Sequence, residues 1–371
     1  MILTRVERID VKGVYHYVVV DEDGRLVVPV AKFLRYLYQI GRSPNTLKSY
    51  SYHLKSYFEF LQQKDKQFDS VGLDDLAEFV GWLRNPARSL KVVPLGCQTA
   101  ARREVTVNTM LTCVTAFYDY LWQHGEYEGK LPEKLRRMVS VSHRSFKSFL
   151  HHISEGKPIA KHILKLRIPR RPVRTLAKES VDSLMAACRN NRDYLLLWVL
   201  YEGGLRIGEA LGLWLEDIDL VNCCLWVRAR DSLANGARAK TGDRKIYISQ
   251  ELINCFQEYI CRVHTDDVKT NHVFVKLQGL QRGQPMAYQD VADLFRRLRK
   301  KTGSNATPHM LRHTCATELH RHGWDACLIR QRLGHAHVQT TIQMYIHPGD
   351  EDLRQAWNEF QKQKDLKGVQ R

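Results

Sequence analysis

The sequence predicts a mainly α-helical chain with a small β-sheet, an α+β fold in two parts: an N-terminal helical domain and a second, mixed α/β domain. Three observations carry that expectation. Most long segments repeat apolar residues at helical spacing, as Leu47, Tyr50, Leu54, Tyr57, Phe58 and Leu61 do. Runs of β-branched and aromatic residues are few and short: Tyr15 to Val20, Cys224 to Arg228 and Lys245 to Ile248. A basic stretch broken by prolines, KPIAKHILKLRIPRRPVRT, divides the helical regions. With 371 residues, 44% of them hydrophobic, the chain can fill two cores.

Residues 1–29 read as a small β element in which Tyr15 to Val20 turns at Asp21-Glu22-Asp23-Gly24 and is answered by Leu26-Val27-Val28. Its near balance of charge suits a hairpin covering the next domain better than a basic arm. Residues 30–131 read as a helical domain. Ser43-Pro44-Asn45-Thr46 is a helix start, and Asp74 to Leu83 and Val105 to Trp122 are further amphipathic helices. The loop between those two carries Arg88, Lys91, Arg102 and Arg103. Residues 132–173 read as a basic linker with Arg167, Arg170 and Arg171, and Arg174 stands at its end; one helix from Ser142 to His152 could interrupt it.

The second domain spans 174–350. Helices are expected from Lys178 to Ala187, Asp193 to Tyr201 and Ile207 to Leu213, followed by a turn through Leu220. The two strands then flank hairpin-type turn signals at Asn235-Gly236 and Thr241-Gly242-Asp243. Helices resume at Gln250 to Val263 and Tyr288 to Lys301. A tail, 351–371, places Leu353, Trp357 and Phe360 on one helical stripe.

Fifty-seven Lys and Arg against 40 Asp and Glu leave a formal charge of +17, which calls for a polyanionic partner, nucleic acid before membrane. The nine cysteines are odd in number and form no Cys-x-x-Cys pair, which fits a reduced cytoplasmic compartment and not a disulfide framework. The opening MILTRVERIDVKG does not read as a signal peptide, and no stretch approaches the roughly 20 apolar residues that would span a bilayer.

The chemistry concentrates between Thr307 and His347. His309 and Arg312 stand one helical turn apart, and a helix over about Asp325 to Leu333 ends at Gly334, placing His335 directly after the cap. Tyr345 follows in a short apolar segment. A guanidinium with flanking donors suits a phosphate, and a phenol beside it is a candidate nucleophile. His309 and His313, at i and i+4, could also form half of a zinc site, but no Glu adjoins His309 and no paired Cys ligands lie nearby.

The order His309-x-x-Arg312, Leu333-Gly334-His335, Thr340-Thr341 and Tyr345 resembles the catalytic box of the tyrosine recombinases, the phage-integrase family. That family places a further Arg in a Gly-Leu-Arg-x-x-Glu string about a hundred residues upstream, and the chain has Gly204-Leu205-Arg206-Ile207-Gly208-Glu209. The resemblance implies a SAM-like helical core-binding domain over 30–131 and a catalytic domain over 174–350. It implies a site-specific recombinase, integrase or transposase that cuts and rejoins strands through a 3′-phosphotyrosine and a Holliday junction. Arg206 and Arg312 would clamp the phosphate, His309 and His335 donate or carry protons, and Tyr345 attack. Lys240 occupies the place of the family's general-acid lysine, with Lys245 as competitor.

The implied partners are double-stranded DNA with specific recombination sites, a homotetramer on synapsed DNA and accessory DNA-binding proteins. No cofactor and no metal is implied, and the protein would be cytoplasmic, on the nucleoid when bound to DNA. Glu209 and Asp217 match acidic positions that support the pocket. Two departures stand out: an added DSLANGAR segment before Lys240, and ten residues from His335 to Tyr345 where many relatives have nine. The long hairpin and the linker point to the mobile-element branch. Type IB topoisomerase and a catalytically silent DNA-binding accessory protein are the alternatives. All six pocket residues are present, which counts against the second.

Overall fold

The computed structural model describes residues 4–11, 14–85, 100–139, 159–168, 173–230, 233, 235–238, 242–335 and positions 354, 357, 358 and 361. The chain divides into two compact units, Met1–Arg170 and Arg171–Arg371.

The first unit opens with an antiparallel hairpin of β1 (Arg5–Val11) and β2 (Val14–Val20), Arg5 facing Val20 and Val11 facing Val14. The expected pairing of Tyr15 to Val20 with Leu26 to Val28 is therefore corrected: Leu26 makes one isolated bridge to Val20, and Val28 already opens helix α1 (Val28–Gln39). Pro29 explains the change, since it sets a helical φ at the first turn and cannot donate to a ladder. Val19 is fully buried among the helices, so the hairpin does cover them.

Helix α2 (Pro44–Gln63) starts where expected, with Ser43 Oγ accepting from the Thr46 amide at 3.2 Å. It packs with α3 (Leu73–Arg84) and α4 (Glu104–Gln123) around Phe33, Leu54, Phe60, Phe79, Leu111 and Phe117, all nearly inaccessible. Each such side chain stabilises the unit by roughly 1.5–3 kcal/mol through burial. Tyr57 and Tyr118 share a 2.7 Å hydroxyl contact inside that core.

The stretch expected as a bare linker is more ordered than its composition suggests. After α5 (Leu131–Leu135), β3 (Arg136–Val139) pairs antiparallel with β4 (Ile159–His162). Leu164 and Leu166 then pack on the helical core, and the Asn108 side chain bonds both the N–H and the C=O of Leu166 at 2.8 and 2.9 Å. Apolar residues interleaved with the basic ones let one side of the segment bury while the charges stay wet. The expected helix from Ser142 to His152 lies outside the described residues.

The second unit holds α6 (Lys178–Ala186), α7 (Asn191–Tyr201) and α8 (Ile207–Leu211). A three-stranded antiparallel sheet follows, β5 (Ile218–Asp219), β6 (Cys224–Val227) and β7 (Arg244–Tyr247), in that spatial order. The turn expected through Leu220 thus contains a short strand, with Ile218 paired to Leu225. Helices α9 (Gln250–Val263), α10 (Tyr288–Thr302), α11 (Pro308–Arg321) and α12 (Ala326–Leu333) complete the unit. Leu196, Leu200, Leu211, Phe256, Phe274 and Leu311 are fully buried at its centre. Among the described residues, no helix is long and apolar enough to cross a membrane.

Candidate active site

Gly203-Gly204 ends α7 with a sharp reversal. Gly204 has φ +64°, and a Cβ there would lie 2.8 Å from Leu333 Cδ2, so any other residue would be strained and would have to displace Leu333. Two residues on, Arg206 caps α8 in extended backbone. Glu209, at the third helical position, reaches back: Oε2 accepts the Arg206 amide at 2.8 Å and Oε1 accepts Arg206 Nη1 at 2.9 Å.

Glu209 is the centre of a charge cluster. Its fully buried carboxylate also takes Arg244 at 2.7 and 3.1 Å, and Arg312 Nη1 stands 3.7 Å away. Burial alone would raise its pKa; the hydrogen bonds and charge of Arg244, the Arg206 amide and the charge of Arg312 override that and hold it at about 2. Three guanidiniums therefore share one carboxylate, and the cluster carries a net positive charge.

The second set of partners is the end of α12. Gly334 caps it in the left-handed conformation, φ +65°, and leaves the last carbonyls pointing into the cluster. Arg244 Nε donates to Arg332 O at 2.9 Å, Arg312 Nη2 to Leu333 O at 2.7 Å, and Arg206 Nη2 to Gly334 O at 3.2 Å. The helix-end dipole favours cations there. Arg312, 1% exposed, also donates to Gly204 O at 2.7 Å, joining the two glycine turns.

Helix α11 delivers Arg312 and His309. Thr307 caps it, its Oγ1 accepting from the Met310 amide at 3.3 Å, with Pro308 in the first turn. His309 lies at the exposed end of that turn, and its ring meets His313 edge-on at 4.1 Å between centroids. His335 follows Gly334 directly, its amide bonded to Arg330 O at 3.1 Å. Partial burial, then the charges of Arg312 and Arg206, lower the pKa of His309. Burial first, and the same arginines with His313 and Arg244 after it, depress His335 to about 4. His313 is likewise held at about 4 by burial, His309 and Arg312. The three rings are therefore neutral near pH 7.

Of the residues singled out in the sequence, Arg206, His309, Arg312 and His335 come together in this cluster. Lys240 and Tyr345 lie outside the described residues, as do Arg88, Lys91, Arg170 and Arg171. Lys245 is described and sits one position from Arg244 on β7, so it takes the opposite face; its ammonium lies 4.9 Å from the Tyr247 ring centroid and 5.9 Å from that of Trp226. Arg102 packs 5.6 Å over the Trp82 ring and donates to Leu83 O. Arg103 and Arg167 are exposed on the first unit and Arg174 on the second.

The motif spacing does not point to Arg244, which the structure shows as a buried tie between Glu209 and α12. The available signal was strand alternation. Ile246 is inward, so Arg244, two residues earlier, faces the same way.

Three arginines converge on the buried carboxylate of Glu209, and the charges of two of them reach His309 and His335, an arrangement suited to holding a phosphate; comparison with known proteins gives the class. Residues 174–352 match the phage integrase family and residues 30–125 match the phage integrase N-terminal SAM-like domain. The chain belongs to this family, the tyrosine recombinases, which cleave and rejoin DNA. Within it, transposase A from transposon Tn554 of Staphylococcus aureus (strain N315) is 41% identical over 98% of this chain and 99% of that protein. Tyrosine recombinase XerA of Pyrococcus horikoshii is 26% identical over 88% and 90%. Among solved structures, the Tn1549 transposon integrase with a circular intermediate DNA superposes with TM-score 0.60 at 21% identity, covering 90% of this chain and 99% of that one. XerH bound to a palindromic difH substrate gives TM-score 0.61 at 16% identity, covering 90% and 95%.

Proposed function

We propose that this recombinase acts as the transposase of a mobile element, binding double-stranded DNA at specific sites and exchanging strands as a homotetramer. Support for the branch comes from the full-length similarity to the Tn554 transposase. Support for a duplex partner comes from the charge of +17 and from relatives solved on DNA, the Tn1549 integrase and XerH among them.

The observation that carries the reading is the set of guanidiniums fixed by Glu209 and by the end of α12. Arg206 and Arg312 are already held in place by these protein partners, so their positive charge is fixed in advance of the charge that builds on a phosphate's oxygens. In the proposed reaction the Tyr345 oxygen forms a bond to phosphorus as the bond from phosphorus to the 5′-oxygen breaks. The phenol proton passes to an imidazole of the His309 and His335 pair, which is unprotonated near pH 7 in the empty pocket and gains proton affinity from the negative charge of the bound phosphate. The leaving 5′-oxygen takes a proton from the Lys240 ammonium and becomes a hydroxyl. One phosphodiester replaces another, so the chemistry needs neither a nucleotide nor a metal.

A nicked duplex drawn from DNA flanking the coding sequence tests this. The parent protein should form a covalent protein–DNA band, and Tyr345→Phe should abolish it while binding stays within a few-fold, because one hydroxyl leaves and no phosphate contact does. An adduct that persists in the Phe variant would remove Tyr345 from its role.

A further inference from the structure

The described residues of the stretch before Lys240 are fastened to the rest of the second unit at three levels. At its root, Arg230 forks onto the buried Asp217 at 2.5 and 2.9 Å and donates to Gly212 O at 3.2 Å, with its guanidinium 4.2 Å over the Trp214 ring. The opposite root is tied by the Ala229 amide donating to Asp243 Oδ1 at 2.8 Å.

Further along, the Gly236 amide closes a turn on Leu233 O at 2.8 Å, with φ +70° at Gly236. Asn235 then uses its whole side chain. Nδ2 donates to Leu211 O at 3.0 Å, at the end of α8, and to Met286 O at 2.9 Å, just before α10. Oδ1 accepts the Ala237 amide at 3.0 Å, and Ala237 is fully buried. A short side chain with two donors and an acceptor is what this place demands.

At the third level the Arg238 carbonyl lies against Gly208: a Cβ there would be 2.7 Å from that oxygen and 2.4 Å from the Tyr288 hydroxyl. Gly208 neighbours Glu209 and is two residues from Arg206. Two peptide units separate Arg238 from Lys240, a reach of about 7 Å at most.

We infer that Asn235 is a positioning residue for the recombination reaction: it pins the segment to α8 and to the start of α10, and so limits where the Lys240 ammonium is delivered to the leaving 5′-oxygen. The inference rests on the reading of Lys240 as proton donor. A purely structural role for Asn235 would slow every substrate alike; a positioning role slows only the one whose leaving group needs the proton.

Single-turnover cleavage separates the two. The substrate is the adduct-forming duplex, made once with the ordinary 5′-oxygen and once with a bridging 5′-sulfur, whose thiolate leaves without a proton because thiols are far more acidic than alcohols. Asn235→Ala should cleave the oxygen substrate about 10-fold or more slowly, in line with the cost of a misplaced catalytic group, and the sulfur substrate within about threefold of the parent. Asn235→Asp keeps the acceptor for the Ala237 amide but loses both donors, so it should show the same split if the alanine variant is poorly folded. Lys240→Ala, run alongside, should be slow on oxygen and rescued by sulfur. Asn235 variants that match the parent on oxygen, or that are slowed equally on both substrates with Lys240→Ala still rescued, overturn the inference and leave the reading of Lys240 standing. A Lys240→Ala variant that sulfur does not rescue removes the donor, and the inference with it.

Discussion

The imidazoles near the arginine cluster are held below their ordinary pKa by burial and by the cations beside them. His313 and His335 titrate at about 4 in the folded chain, below the ordinary 6.5. Between those values the unfolded chain binds more protons than the folded one, so stability is full above pH 6.5 and falls as the pH drops toward 4. Unfolding by denaturant at pH 5 should therefore have a lower midpoint than at pH 7, and the double variant His313→Gln, His335→Gln should lose less over that interval. A parent midpoint that does not change between pH 7 and 5 would show that the rings are not held neutral. At this scale, the motif spacing made Arg206, His309, Arg312 and His335 legible. It could not show Arg244 or Asn235, because their roles depend on which carbonyls and carboxylates the fold brings opposite them across long stretches of chain.

Helix α12 ends at the point where three arginines need acceptors, and Gly334 makes that ending possible. Its φ of +65° is a conformation other residues adopt at a cost of about 1–2 kcal/mol. A Cβ there would also stand 2.8 Å from Arg244 Nη1. Gly334→Ala should therefore lower the melting temperature modestly and the cleavage rate severely, since it disturbs Arg244 and the direction of His335 together. Calorimetry and single-turnover cleavage on the same preparation check this; a rate unchanged within twofold would mean the cap does not set the geometry. The Gly334 cap and the long helices were readable from periodicity and capping residues, because those signals are local. The partner of β2 was not, since Pro29 turned the expected strand into a helix start. Nor were β3 and β4, which lie in a basic stretch punctuated by Pro158, Pro169 and Pro172 that reads as solvated chain, although Leu164 and Leu166 pack on the helical core.

Over the whole molecule, the charge of +17 is divided between positions locked in the pocket and positions left at the surface. Arg312 is 1% exposed and committed to Gly204, Leu333 and Glu209, whereas Arg167 and Arg174 are exposed on their respective units. These two groups should respond differently to salt. Exposed arginines that meet phosphates release condensed counterions on binding, and each such contact contributes about −0.9 to the slope of log K against log salt on duplex DNA. Substituting Arg167→Gln and Arg174→Gln together should therefore make the slope shallower by nearly two and weaken binding to specific and unrelated duplexes by a similar factor. At DNA concentrations high enough to saturate the variant, the single-turnover cleavage rate should match the parent's, because neither side chain belongs to the cluster around Glu209. Fluorescence anisotropy titrations across a range of potassium chloride concentrations, paired with cleavage at saturation, decide it. An unchanged slope would mean that these arginines face solvent in the complex, and that the phosphate contacts lie elsewhere on the basic surface.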